Sequence, residues 1–281
     1  MLSTKSHTAF QLPLDTGFMK IPKNLTILLR LFIIPGFLLI ILLLILKAPA
    51  WFDILFNRSA SNAPIVSTFG ILMPDGYSVH GIDVSKHQGN IDWKRVSRMK
   101  KNDIRIAFTF IKATEGISRQ DEKFETNWKQ SGQNGLLHGA YHFYYPSREA
   151  VGQADNFIRM VKLRKGDLPP AVDIEYSNGK SKATICEDLK VFLDRLEKRY
   201  GVKPIIYTNI NFFSTYLKGS FDKYPLWIAG YFDHERFYNE FLTPWTIWQH
   251  SENGKVDGIR GSVDFNVFKG NIESLKAMSV K

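Results

Sequence analysis

Asp173 and Glu175 stand one residue apart in the stretch PPAVDIEYSN, residues 169–178, which otherwise reads as a buried strand. Two carboxylates on one face of an apolar segment repel each other and lose hydration, so one holds a proton near neutral pH while its neighbour stays anionic. That division suits the cleavage of an acetal, in which a protonated acid serves the leaving oxygen and an anion faces the developing oxocarbenium. An acid cluster also suits calcium or magnesium, and a lone Asp at a strand end commonly just bonds loop amides. Repetition favours chemistry, because Asp83 in HGIDVS (80–85) and Asp264 in VDFNVF (263–268) recur in matching settings.

These acids must be carried by strands. Apolar runs recur at 77–85, 104–114, 137–146, 169–175, 203–209, 224–231, 244–250 and 262–268. Helical signals separate the first five. Ile185, Leu189, Phe192, Leu193 and Leu196 share a face before Tyr200-Gly201 ends a helix, and 150–163 has a similar pattern with Ser147 as its N-cap. After the fifth run the connections shorten and read as loops. The pattern predicts an α/β fold, an irregular TIM-like βα-barrel with parallel strands first and irregular pairing at the end.

In such a barrel, chemistry sits at the C-terminal ends of the strands. Period-two alternation sends Val172 and Ile174 outward and Ala171, Asp173 and Glu175 inward. It likewise turns Gly81, Asp83 and Ser85 inward, and sets Asp264 and Asn266 opposite Val263, Phe265 and Val267. Three strands thus deliver carboxylates to one mouth.

Tyr141, Tyr144, Tyr207, Trp227, Tyr231 and Trp248 lie in or beside strand ends, where a sugar groove uses flat apolar platforms with polar tips. Each is also an ordinary core residue; Tyr207 and Trp248 lie nearest the inferred C-terminal ends. His138 and His142 share a strand face but lack a third zinc ligand, so they read as hydrogen-bonded histidines and neither metal nor cofactor is expected. The single cysteine, Cys186, excludes a disulfide framework and reads as a small buried residue.

The chain divides on composition into a leader (1–25), an apolar segment (26–47), a spacer (48–76) and a domain (77–281). Leu31 to Leu46 is uncharged, and with residues 26–29 behind Arg30 the apolar length approaches the ~20 residues of a membrane-spanning helix. Lys5, Lys20, Lys23 and Arg30 precede it and only Lys47 follows, so the positive-inside bias puts the N-terminus in the cytoplasm. The expected location is a single-pass anchor in the cell membrane with the domain on the extracytoplasmic side. Ala48-Pro49-Ala50 also resembles a signal cleavage site, which would release a secreted domain, although the charged leader is long for a signal. A buried core helix is the third reading. The net charge of +10 steers the chain toward anionic partners such as a wall polymer or a membrane surface. No basic stripe interleaved with aromatics stands out, so nucleic acid is not an expected partner.

The ordered motifs HGIDVSKHQGNIDW (80–93), IKATEG (111–116), GAYHFY (139–144), AVDIE (171–175), IYTN (206–209), WIAGY (227–231), WQHSENGKVDGI (248–259) and VDFNVF (263–268) resemble glycoside hydrolase family 25, the wall-degrading muramidases. The resemblance covers essentially all of 77–281. It implies a barrel of eight strands and about five helices that cleaves the β-1,4 bond between N-acetylmuramic acid and N-acetylglucosamine in peptidoglycan glycan strands. It also implies that Glu175 is the general acid, that Asp173 orients or stabilises the substrate's 2-acetamido group, and that Asp83 and Asp264 flank them. A D-x-E pair beside an N-acetylated sugar suits substrate-assisted retention; an inverting route needs carboxylates about 6.5–9.5 Å apart, with one activating water. Two other classes remain open: a non-catalytic glycan-binding module joining membrane to wall, and a chitinase-like hydrolase. The longer acidic run of such chitinases is absent, because Pro169 to Val172 occupy the positions before Asp173.

Overall fold

The computed structural model describes residues 67–231, 237, 241 and 243–281. These lie within the second of the chain's two units, Met1–Ala63 and Pro64–Lys281. The expected leader and apolar segment, and the spacer up to residue 66, lie outside the described residues. Among the described residues no helix is long and apolar enough to cross a membrane.

All eight expected strands form. They are β3 (His80–Val84), β5 (Ile104–Glu115), β7 (Leu137–Phe143), β8 (Ala171–Asp173), β9 (Ile205–Asn209), β10 (Leu226–Ala229), β11 (Ile247–Gly254) and β12 (Val263–Phe268). Pairing runs β3-β12-β11-β10-β9-β8-β7-β5, and β5 pairs back onto β3, which closes the barrel. From β3 through β5, β7, β8, β9 and β10 to β11 every pairing is parallel, while β12 runs antiparallel to both neighbours. The irregular end predicted from the shortened connections is therefore this one reversed strand.

Alternation splits the core into two layers. Phe108, Phe110, Ala171, Ile205, Trp227 and Ile247 fill the barrel, whereas Ile82, Val84, Val172, Ile174, Ile206 and Ile228 pack against the outer helices. Gly81 and Gly139 leave room for this filling. A Cβ on either would run into the ring of Phe108 or Phe110.

The helices are α1 (Trp93–Arg98), α2 (Phe124–Gln133), α3 (Ala150–Met160), α4 (Lys182–Tyr200), α5 (Ile210–Phe212) and α6 (Ile272–Ala277). In α4 the five expected apolar residues are buried, Ser181 Oγ accepts from Thr184 N, and Gly201 ends the helix at φ 72°. The N-cap of α3 is Glu149 rather than Ser147: its carboxylate accepts from Val151 N and Gly152 N and places negative charge at the positive helix end. The connection after β9 is also not a loop. Asn209 caps α5, which runs into a π-helical turn (Phe213–Leu217) that buries Phe212, Phe213 and Leu217. Their spacing of one and four departs from a regular amphipathic face, which hid the helix from periodicity. Leu275 of α6 joins the barrel-interior layer.

Short strands complete the picture. Lys100–Lys101 (β4) and Arg119–Gln120 (β6) pair with the ends of β5. Ser67–Thr68 (β1) and Ile71–Leu72 (β2) form a hairpin across Phe69 (φ 59°) and Gly70 (φ 75°). Phe69 is buried against Phe265, with ring centroids 5.0 Å apart, and its carbonyl accepts from Lys255 N. The expected spacer of 48–76 therefore ends too late: residues 67–72 belong to the folded body, because an aromatic anchor fastens them to it.

Candidate active site

β3, β8 and β12 bring the carboxylates together. Asp83 and Asp264 are directly opposite in the antiparallel β3–β12 pair, and Asp173 ends β8 on the same inward face. Asp83, Asp173 and Asp264, with Tyr141, Tyr207 and Trp227, line a cavity of about 160 Å³. Glu175 lies two residues beyond Asp173 at the rim, half-buried.

Asp83 is the hub. Its Oδ2 accepts from Asn266 Nδ2 at 2.7 Å and from Gln249 Nε2 at 2.9 Å. Asn266 in turn accepts from Trp227 Nε1 at 2.7 Å, and Gln249 Oε1 accepts from the hydroxyls of Tyr207 and Tyr231. Amide side chains thus relay the positions of three aromatics to one carboxylate.

The four acids sit in one field. Burial raises Asp264 to about 9, with the charge of Asp83 adding to the effect. Burial raises Asp83 too, but hydrogen bonds from Asn266, Gln249 and Asp264 oppose it. The two carboxyls therefore titrate as an interacting pair rather than as independent groups. Asp173 is raised well above the ordinary carboxylate range by burial and then by the charge of Glu175, against which Lys112 favours the anion. Glu175 is raised by burial and by Asp83, while the Tyr207 hydroxyl holds it lower. Asp173 Oδ1 is buried with no hydrogen-bond partner among the described residues. A buried carboxylate oxygen without a donor is costly unless a ligand supplies one.

Of the aromatics, Tyr141, Tyr207, Trp227 and Tyr231 face the cavity. Trp248 does not, which corrects its expected place among the substrate contacts. Its neighbours Ile247 and Gln249 point inward, so it points outward, stacking on Phe237 at 4.0 Å and donating from Nε1 to Gly230 O. Tyr144 is likewise buried in the outer layer, against Phe192. The alternation of β11 carried both signals: it excludes Trp248 and places Gln249, overlooked in the sequence, inside.

The two β7 histidines do separate structural work. His138 stacks on Trp128 at 3.9 Å and bridges Ser131 and Asp167, while His142 is enclosed between Thr114 and Gln153, its pKa lowered to about 3 by burial. Among the described residues no group of His, Cys, Asp or Glu forms a metal cluster. Cys186 is partly buried against the outer core layer, with Sγ donating to Tyr216 O at 3.3 Å.

Residues 82–259 match the sequence profile of glycosyl hydrolases family 25. The chain is 46% identical over 212 residues to the protein YegX of Escherichia coli K12, covering 75% of this chain and 77% of that one. It is 31% identical over 219 residues to lysozyme M1 of Streptomyces globisporus, covering 73% and 72%. Among solved structures, a family 25 glycosyl hydrolase from Bacillus anthracis superposes with a TM-score of 0.66 at 31% identity, covering 74% of this chain and 96% of that one. With an acid-lined barrel mouth, a family match over most of the domain and curated lysozyme relatives, the chain belongs to glycosyl hydrolases family 25, and its domain is a glycoside hydrolase.

Proposed function

We propose that the domain is an N-acetylmuramidase that cleaves the β-1,4 bond from N-acetylmuramic acid to N-acetylglucosamine in peptidoglycan, with substrate-assisted retention. The observation that carries this reading is the unpartnered, buried Oδ1 of Asp173 two residues before Glu175. A 2-acetamido N–H is the donor that oxygen lacks. Donation to Asp173 would aim the acetamido oxygen at the anomeric carbon while Glu175 protonates the leaving oxygen. The anomeric carbon–oxygen bond breaks, an oxazolinium ring forms, and Asp173 steadies its positive charge. Water, deprotonated by Glu175, then opens the ring from the opposite face, and two inversions give net retention. Burial and the charge of Glu175 raise Asp173, and the Lys112 charge opposes them, acting toward the anion this route requires.

Products identify the bond and the stereochemistry. Mass spectrometry of digested peptidoglycan is expected to show reducing N-acetylmuramic acid ends; reducing N-acetylglucosamine or 1,6-anhydro ends would overturn the reading. Proton NMR within the first turnovers is expected to show the β-anomer, and initial α-anomer would leave the bond specificity standing but replace retention by inversion.

We further infer that the apolar segment 26–47 tethers the enzyme to the membrane with the domain outside the cytoplasm. The support is the uncharged run and the lysines before it. Recovery of the intact chain in a detergent-extractable membrane fraction is expected, and a soluble chain beginning near Trp51 would show cleavage at Ala48-Pro49-Ala50 instead.

A further inference from the structure

A second cavity, of about 430 Å³, opens on the same C-terminal face of the barrel. Its walls are three strand-end turns: 115–119 after β5, 145–148 after β7, and Asn178 beyond Glu175 after β8. A row of aromatic rings leads from it toward Glu175. Tyr176, next to Glu175 in the chain, lies 6.4 Å from Phe143, and Phe143 lies 5.2 Å from Tyr145 on the cavity wall.

The charge of this cavity is opposite to that of the acid-lined mouth. Glu115, its one carboxylate, is already held by Lys112 Nζ at 2.8 Å, by Arg119 Nη1 at 3.2 Å and by the Tyr145 hydroxyl at 2.9 Å. Arg148 has no ion pair among the described residues. The cavity wall thus carries two arginines against one carboxylate that Lys112 and Arg119 already neutralise.

Both arginine-bearing turns are pinned from below by buried amides one turn apart on α3. Gln153 Nε2 donates to the carbonyls of Tyr145 and Arg148, and its Oε1 accepts from Tyr145 N. Asn156 Nδ2 donates to the carbonyls of Gly116 and Arg119. Spending two fully buried amides on surface turns fixes where the arginines emerge, which is the preorganisation that carboxylate recognition benefits from.

We infer that this cavity is a subsite for the acidic peptide branch of the glycan, with Arg148 and Arg119 binding its carboxylates. The inference rests on the muramidase reading, because it is the muramic acid of such a polymer that carries a peptide on its lactyl group. Four extended residues reach ~13 Å, enough to cover the ring-to-ring steps of 6.4 and 5.2 Å from Tyr176 past Phe143 to Tyr145 on the cavity wall. Planar guanidinium groups suit bidentate carboxylate binding.

The test compares kcat/KM on peptidoglycan chains bearing their peptides with kcat/KM on the same chains stripped by an amidase. The readout is the ratio of the two. In the wild type the ratio is expected above one; in Arg148→Ala, and more so in Arg119→Ala/Arg148→Ala, it should fall about tenfold or more, chiefly through KM. Arg148→Lys should restore part of it, and amidating the peptide carboxylates should reproduce the loss in the wild type. A ratio unmoved by the substitutions, whether both substrates suffer equally or neither does, overturns the subsite and leaves the muramidase reading intact. Failure of the wild type to cleave either substrate overturns both.

Discussion

At the scale of single residues, the acids differ in role because their surroundings differ. On the proposed mechanism Glu175 is the proton donor, so Glu175→Gln is expected to lower kcat by about 10²–10⁴-fold without unfolding the protein, measured on purified peptidoglycan. That mechanism requires Glu175 protonated, so the rate is expected to fall as pH rises through its raised pKa. Tyr207→Phe deletes the hydroxyl that holds this pKa down, and the alkaline limb of the pH–rate profile is expected to move to higher pH. A limb that stays in place or moves down would disconnect Tyr207 from Glu175. Asp264 makes a separate prediction about stability. Its folded pKa, about 9, lies above the ordinary 3.8, so the native state binds more protons than the unfolded chain between these values and loses stability as pH rises through them. Asp264→Asn removes that liability, and thermal melts are expected to show a stabilisation that is larger at pH 8 than at pH 5.

At the scale of elements, the eight strands and their inward and outward faces were legible because alternation is a local property of an extended chain. Asp173 points inward in the fold for the reason that Val172 and Ile174 point outward, and Glu175 follows at the rim beyond the strand end. The same rule, applied to 247–249, excludes Trp248, whose position near a strand end misleads without its parity. The α5 segment was illegible because its apolar residues follow a π-helical turn, and the α3 cap because Ser147 and Glu149 are both capable acceptors two residues apart. Glycines at close approach are another element-scale feature. Gly81→Ala drives a methyl into Phe108, and overpacking of this kind is expected to cost about 1–3 kcal/mol, read from the denaturant midpoint. Unchanged stability would mean that the barrel filling is softer than its geometry implies.

At the scale of the molecule, the barrel is a two-layer core with a fastener. The β1–β2 hairpin is held by Phe69, whose left-handed backbone is tolerable only because the ring is buried. Phe69→Ala is expected to cost about 3–5 kcal/mol, and a chain beginning at Tyr77 should be destabilised at least as much, both by chemical denaturation. Equal stability of the two chain lengths would return residues 67–76 to the spacer. The charge pattern also belongs to this scale: an acidic mouth and an arginine-bearing cavity on one barrel face are what the proposed subsite requires for a polymer whose neutral sugars carry acidic branches.

Residue type and spacing alone determined the barrel strands, the inward set of Asp83, Asp173, Glu175 and Asp264, and the resemblance that named their chemistry, because side-chain parity and motif order are written along the chain. Only tertiary structure decided which groups meet across strands. The closure of β5 onto β3, the reversal of β12 that sets Asp264 opposite Asp83, the Gln249 and Asn266 relay, and the juxtaposition of Arg119 with Arg148 all join residues far apart in sequence. Register between distant strands, and hence the field in which each carboxylate titrates, is set by how the whole barrel packs, and no local pattern encodes it.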